Sequence, residues 1–140
     1  MISFIIHAAE NFCLHQIGSP HTVQPLPSKM RTLIAYLDIK GKNSQEYRVY
    51  IGCDDVLIQF ITEIFLGEAL SDRETLHDML LETANMIVGS AKVLAQEQST
   101  HSFTIATPHL YEENSFAPET DKYYTLSIAE GEMTIAIKAL

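Results

Sequence analysis

Residues 71–98 read SDRETLHDMLLETANMIVGSAKVLAQEQ. Leu76, Leu80, Ala84, Ile87, Val88, Ala91, Leu94 and Ala95 recur at steps of three and four, the period of one helical face. Ser71 followed by Glu74 three residues later has the form of a capping box, which predicts the helix start. The length and apolar face of this helix need a broad surface to pack against. On both sides of it the chain reads as strand.

Upstream, RTLIAYLDIKGKNSQEYRVYIGCD (31–54) alternates. Leu33, Ala35, Leu37 and Ile39 fall on one side, and Tyr47, Val49 and Ile51 resume the pattern after the turn residues GKNS. Asp54 or Asp55 can cap the next helix, DVLIQFITEIFL, which Gly67 ends. Downstream, HSFTIATP predicts a strand ending at Pro108, and YYTLSIAEGEMTIAIKAL predicts two strands joined at Glu130–Gly131. HLYEENSFAPETDK between them reads as a polar loop. At the N-terminus, Ile2, Ile5, Ile6, Ala9, Phe12, Cys13 and Ile17 have helical spacing, with Gly18 as the stop. Pro20, Pro25 and Pro27 then predict an extended loop without helix. The elements come in runs, so the fold class is α+β, a mainly antiparallel sheet layered against long helices. Residues 1–140 form one domain, with 1–29 as an N-terminal helix and proline-rich loop. The last strand, EMTIAIKAL, meets no charged gatekeeper until Lys138 and is expected to offer a sheet edge for pairing.

Composition narrows the function. The 140 residues carry nine Lys+Arg against eighteen Asp+Glu, a net charge of −9, and 46% are hydrophobic. That suits a folded globular chain. It argues against a nucleic-acid binder, which shows a basic patch, and against an anionic membrane surface. No run approaches the ~20 apolar residues of a membrane span. No basic leader precedes the first apolar segment, so a cytoplasmic protein is expected. Cys13 and Cys53 lack CxxC spacing and read as small buried hydrophobes. Six histidines (7, 15, 21, 77, 101 and 109) show no ligand spacing, so no metal is expected. No phosphate loop, dinucleotide fingerprint or nucleophile elbow is present.

The chemistry lies on the second stripe of the long helix. Asp78, Glu82, Asn85, Gly89 and Lys92 step by four, three, four and three, within roughly 80° at 100° per residue. Any surface helix has a polar face. This one has two poor helix formers in it. Gly89 costs ~1 kcal/mol relative to Ala at mid-helix, and the Asn85 amide competes for backbone hydrogen bonds. A glycine there allows close approach of another surface. Met79 and Met86 flank the ridge as packing residues.

Asp78, Glu82, Asn85 and Pro108 stand in the pattern D-x3-E-x2-N-x22-P. This resembles the signature of the CheC/CheX/FliY family of chemotaxis phosphatases. ETANMIVGSAK is similar to that family's E-x2-N-x3-G helix, and FTIATP to the strand and proline that follow it. With a single E-x2-N, the chain is similar to the one-site CheX type. The resemblance implies an α+β layer fold and an aspartyl-phosphate phosphatase acting on a phosphorylated CheY-like response regulator. It implies Asn85 as the residue orienting the attacking water and Glu82 as the partner of the receiver's active-site lysine. Asp78 and Gly89 would be docking positions and Lys92 a rim residue. No cofactor is implied on this chain, since the receiver brings its own Mg²⁺. A homodimer formed through the sheet is implied as well. Pro108 reads as a strand terminator, not a substrate contact. The alternative is a non-catalytic module, like those of the flagellar switch, that binds a response regulator without hydrolysing it.

Overall fold

The computed structural model describes residues 2–26, 31–67, 70–98, 102–115 and 120–140. Helix α1 (Ile2–Asn11) runs on into π-helical turns over Phe12–Ile17, and Gly18 ends them at φ 77°. Strands β1 (Thr22–Gln24), β2 (Arg31–Gly41) and β3 (Glu46–Asp54) lead to α2 (Asp55–Leu66) and α3 (Arg73–Gln98). Strands β4 (Phe103–Ile105), β5 (His109–Ser115), β6 (Lys122–Ile128) and β7 (Gly131–Ala139) complete the chain. The strands make one sheet in the order β1-β6-β7-β3-β2-β4, with β5 also on β2, and every described pairing is antiparallel.

Alternation decides which sheet face meets the helices. Leu33, Ala35, Leu37 and Ile39 of β2 and Val49 and Ile51 of β3 enter the core, as their period-two spacing predicts. Met133, Ile135 and Ile137 of β7 join the same core, in which β7 packs against α1 and α2 while α3 lies over β2. The opposite face carries a smaller cluster of Ile34, Tyr36, Tyr50 and Ala136. There Arg48 donates to both Asp38 oxygens, at 2.7 and 3.0 Å, and its guanidinium lies 4.4 Å from the Tyr36 ring centre.

Four expectations need correction. The proline-rich segment is extended but not wholly loop. Thr22–Gln24 pairs with β6 as an edge strand, while residues 27–29 of that call lie outside the described residues. His109–Ser115 is a strand and not a loop. Its polar residues suit an edge strand with one partner, β2, and His109 and Tyr111 lie against the Tyr36 and Tyr50 rings, while residues 116–119 of that call lie outside the described residues. The last strand is not an edge. β7 sits between β3 and β6, and its residues 133–137 are buried on both faces, with the Thr134 hydroxyl bonded to Thr125. Finally, Ser71 does not cap α3. Asp72 does, its Oδ1 accepting from Thr75 N at 2.8 Å, while Ser71 N donates to Gln59 Oε1. Thr75 hydrogen bonds hold the exposed Asp72 carboxyl below its usual range.

Between Asp54 and Asp55, the structure selects Asp54 as the α2 cap. It is 1% exposed, and its Oδ1 accepts from Leu57 N at 2.7 Å. Its Oδ2 accepts from Glu132 N at 2.8 Å, tying the α2 start to the β6–β7 turn. Gly131 has φ 147°, and a Cβ on it would collide with the Asp54 carboxylate. Both cysteines are buried, and burial pushes the Cys13 thiol up to about 11. Among the described residues no helix is long and apolar enough to cross a membrane.

Gly131→Ala combines backbone strain with that collision, so a loss of about 2–4 kcal/mol is expected in urea unfolding. Burial holds the Asp54 carboxyl above its ordinary value, against two N–H donors that pull it down. A raised folded pKa means the native state binds more protons than the unfolded chain just above pH ~4. The Asp54 contribution to stability therefore falls as pH rises through that window. Urea unfolding from pH 4 to 7 should show this slope in the native protein and not in Asp54→Asn.

Candidate functional site

The ridge of α3 is built by what lies beneath it. Leu76, Met79, Leu80, Thr83, Ala84, Ile87, Val88, Ala91 and Ala95 are buried and fix the helix rotation. Met79 and Thr83 extend this face beyond the apolar periodicity. Thr83 can be buried because its hydroxyl donates to the Met79 carbonyl at 2.8 Å. With that face down, Asp78, Glu82 and Asn85 are exposed and Gly89 and Lys92 half-buried. The five predicted positions share one surface, spread over about 20 Å of helix axis at 1.5 Å per residue.

Glu82 and Asn85 stand about one turn apart and project the same way. Among the described residues neither side chain has a hydrogen-bond or ion-pair partner. A carboxylate acceptor and an amide offering both a donor and an acceptor thus face outward. A Cβ built at Gly89 would meet nothing within 4 Å. The fold itself therefore gives no packing reason for glycine at this position.

Two neighbours of the ridge were not legible in the sequence. On one flank, Asn11, His15 and Gln16 of the first helical segment, with Met86 and Ser90 of α3, line a groove of about 300 Å³. Beyond Gly89, Lys92 and Gln96 face Lys40, Lys42, Ser102 and Thr104 across a second groove of about 290 Å³. Both join segments far apart in sequence, and no local spacing announces them. Pro108 is half-buried and follows β4, between the two strands that share the β2 edge. Among the described residues no three of His, Cys, Asp and Glu gather as a metal site; His101 lies outside them.

The site is therefore an open helical surface with polar groups aimed outward, on an antiparallel α+β layer. Such a surface suits a macromolecular partner better than an enclosed small molecule. The family model described as "Chemotaxis phosphatase CheX" matches residues 33–129, and the chain belongs to that family. Among solved structures, the chemotaxis protein CheX from Vibrio vulnificus superposes with a TM-score of 0.83 at 20% identity, covering 99% of this chain and 95% of that one. A chemotactic CheC-like protein from Shewanella oneidensis MR-1 gives 0.79 at 17%, covering 99% and 97%. The CheX–CheY–BeF3–Mg²⁺ complex from Borrelia burgdorferi gives 0.70 at 19%, covering 98% and 97%. At these identities the likeness is one of fold. It includes α1 and β1, which precede the residues matched by the family model. No curated protein matches the chain.

Gly89→Ala isolates the ridge from the core. Removing a mid-helix glycine with open space above it should stabilise the protein by about 0.5–1 kcal/mol in urea unfolding.

Proposed function

We propose that this chain removes the phosphoryl group from the aspartyl phosphate of a CheY-like receiver domain in chemotaxis or two-component signalling, in the cytoplasm. The observation that carries the reading is the exposed Glu82–Asn85 pair, turned outward on one ridge with Gly89 open beside it. Membership of the CheX family and the likeness to a CheX solved with CheY support it.

An aspartyl phosphate is a reactive mixed anhydride, so the catalyst has little covalent work to do. Positioning and electrostatics supply most of the acceleration in phosphoryl transfer. In this reading the Asn85 amide enters the receiver's active site and holds one water in line with the bond to be broken. The water oxygen bonds to phosphorus as the bond from phosphorus to the aspartyl oxygen breaks, releasing phosphate and restoring the carboxylate. Mg²⁺ held by the receiver balances the charge on the transferring group. Glu82 pairs with the receiver's lysine and fixes the register of Asn85. Asp78, one turn earlier, docks the receiver beyond that lysine, and Gly89 lets the two surfaces close. Self-association through the sheet belongs to the same reading. With β7 interior, the edges open to a second copy are β1 and the β4–β5 side.

Loss of ³²P from a phosphorylated receiver tests the proposal. The native chain should accelerate the loss well above the receiver's own rate. Asn85→Ala should lower kcat by about 100-fold or more while still binding the receiver, as expected for a lost water-orienting group. Glu82→Ala should weaken binding as well. Tight binding without acceleration by the native chain would assign the ridge to docking alone.

A further inference from the structure

The first helical segment does not stay α-helical. From Phe12 to Ile17 it is π-helical, a form that is rare in proteins and frequent at functional sites. The spacing shows what this does. In an α-helix, Gln16 would stand roughly 140° round the axis from Asn11 at 100° per residue. The i→i+5 bonding of a π-turn instead brings the fifth residue back over the first. Asn11, His15 and Gln16 therefore share one side, and all three line the groove against α3. The end of the segment is held in place. Ser19 N donates to the Cys13 carbonyl at 3.0 Å, and Ser19 Oγ donates to Glu130 Oε2 at 3.2 Å.

Phe12 and Met86 give the groove an apolar floor, and Asn11, His15, Gln16 and Ser90 give it polar walls. No Asp, Glu, Lys or Arg lines it, in a chain that carries nine Lys+Arg and eighteen Asp+Glu. Among the described residues none of the four polar side chains has a hydrogen-bond partner. Asn11 is half-buried, so its free amide is more than a solvated surface group. Two free carboxamides each offer a donor and an acceptor, the complement of a peptide N–H and C=O. Uncharged walls of this kind match polypeptide backbone, which every protein partner carries whatever its sequence. The groove also runs beside the ridge. Met86 follows Asn85 and lies one turn from Glu82, and Ser90 follows Gly89, about 7.5 Å beyond Asn85 along the axis. A globular partner of ~100 residues has a radius of gyration of about 13 Å, so one seated on Asn85 and Gly89 also covers the groove.

We propose that the groove between the π-helical turns and α3 holds a backbone segment of the receiver, with the Asn11 and Gln16 amides bonded to its peptide groups. The inference rests on the receiver reading above and adds a second strip of contact, carried by a different helix from the ridge. It gives the π-turn a purpose, since the turn is what brings Gln16 to the groove.

The test is the variant Asn11→Ala/Gln16→Ala, with Leu14→Ala as the control, since Leu14 is exposed on the same segment and does not line the groove. Binding to a receiver carrying beryllofluoride and Mg²⁺ is measured by fluorescence anisotropy, and dephosphorylation is followed in parallel. The double variant should bind about tenfold more weakly, the scale of two lost neutral hydrogen bonds. The loss should fall on KM and leave kcat near its native value. Because the contact is uncharged, the same fold-loss should appear at about 0.05 M and about 0.5 M salt. Leu14→Ala should bind as the native chain does. In ¹⁵N spectra of the native chain, the side-chain NH2 signals of Asn11 and Gln16 should shift as the receiver is added, a readout that needs no variant to fold. If those signals stay in place while the native chain binds, or if the double variant, folded by circular dichroism, binds as tightly, the groove contact is overturned and the phosphatase reading stands. A loss that disappears at the higher salt would make it a charge effect and also overturn it. A native chain that binds no receiver overturns both readings. Weaker binding by the double variant, in a chain that does not accelerate dephosphorylation, would keep the groove contact and remove the phosphatase reading.

Discussion

The Asp54 carboxylate is the point through which the two halves of the structure are joined. One oxygen caps α2 and the other accepts from the Glu132 amide of β7, just beyond the β6–β7 turn. Burying an ionisable group is costly, and only the two N–H donors make it tolerable. Gly131 is tied to the same point, since any side chain there would occupy the carboxylate's place. The helices are aimed from this junction. α2 leaves β3 at the cap, and its residue Gln59 accepts from Ser71 just ahead of α3. Arg73 at the start of α3 reaches back to Asp55 at 3.3 Å. The rotation of α3, and so the direction of its polar ridge, is then completed by the core beneath it.

That ridge has unusual economy. Its inner face is satisfied by apolar packing and its outer face asks nothing of the rest of the chain. Glu82 and Asn85 have no described partner, and Gly89 has no packing reason to be glycine. Groups kept idle at a cost in helix propensity are best explained by something that arrives from outside. A convex surface of this kind cannot enclose a reaction.

Much of this was legible in the residues. The alternation of Leu33, Ala35, Leu37 and Ile39 gave the inner sheet face, and the three- and four-residue steps of α3 separated the core stripe from the ridge. What escaped had physical causes. β5 pairs on one edge only and keeps polar residues, so it resembles a loop. β7 lies inside the sheet, and its place there depends on partners that local pattern does not name. Asp72 outcompeted Ser71 for the α3 cap, a difference of one residue that both chemistries permit. The two grooves beside the ridge join α1 and the β2 turn to α3 and have no linear signature.

The central position of β7 also shapes how the chain reaches this structure. The β2–β3 and β6–β7 hairpins are each local and close over a few residues. The pairing that fuses them, β3 with β7, joins residues roughly 80–90 positions apart. Closing a loop of that length costs about 2–3 kcal/mol more than closing a five-residue turn. Non-local strand pairing of this kind slows folding at a given stability. The hairpins and α3 rest on local contacts, whereas the seam between the sheet halves carries a large loop-closure cost. The buried carboxylate that bridges them can be desolvated only when that seam closes.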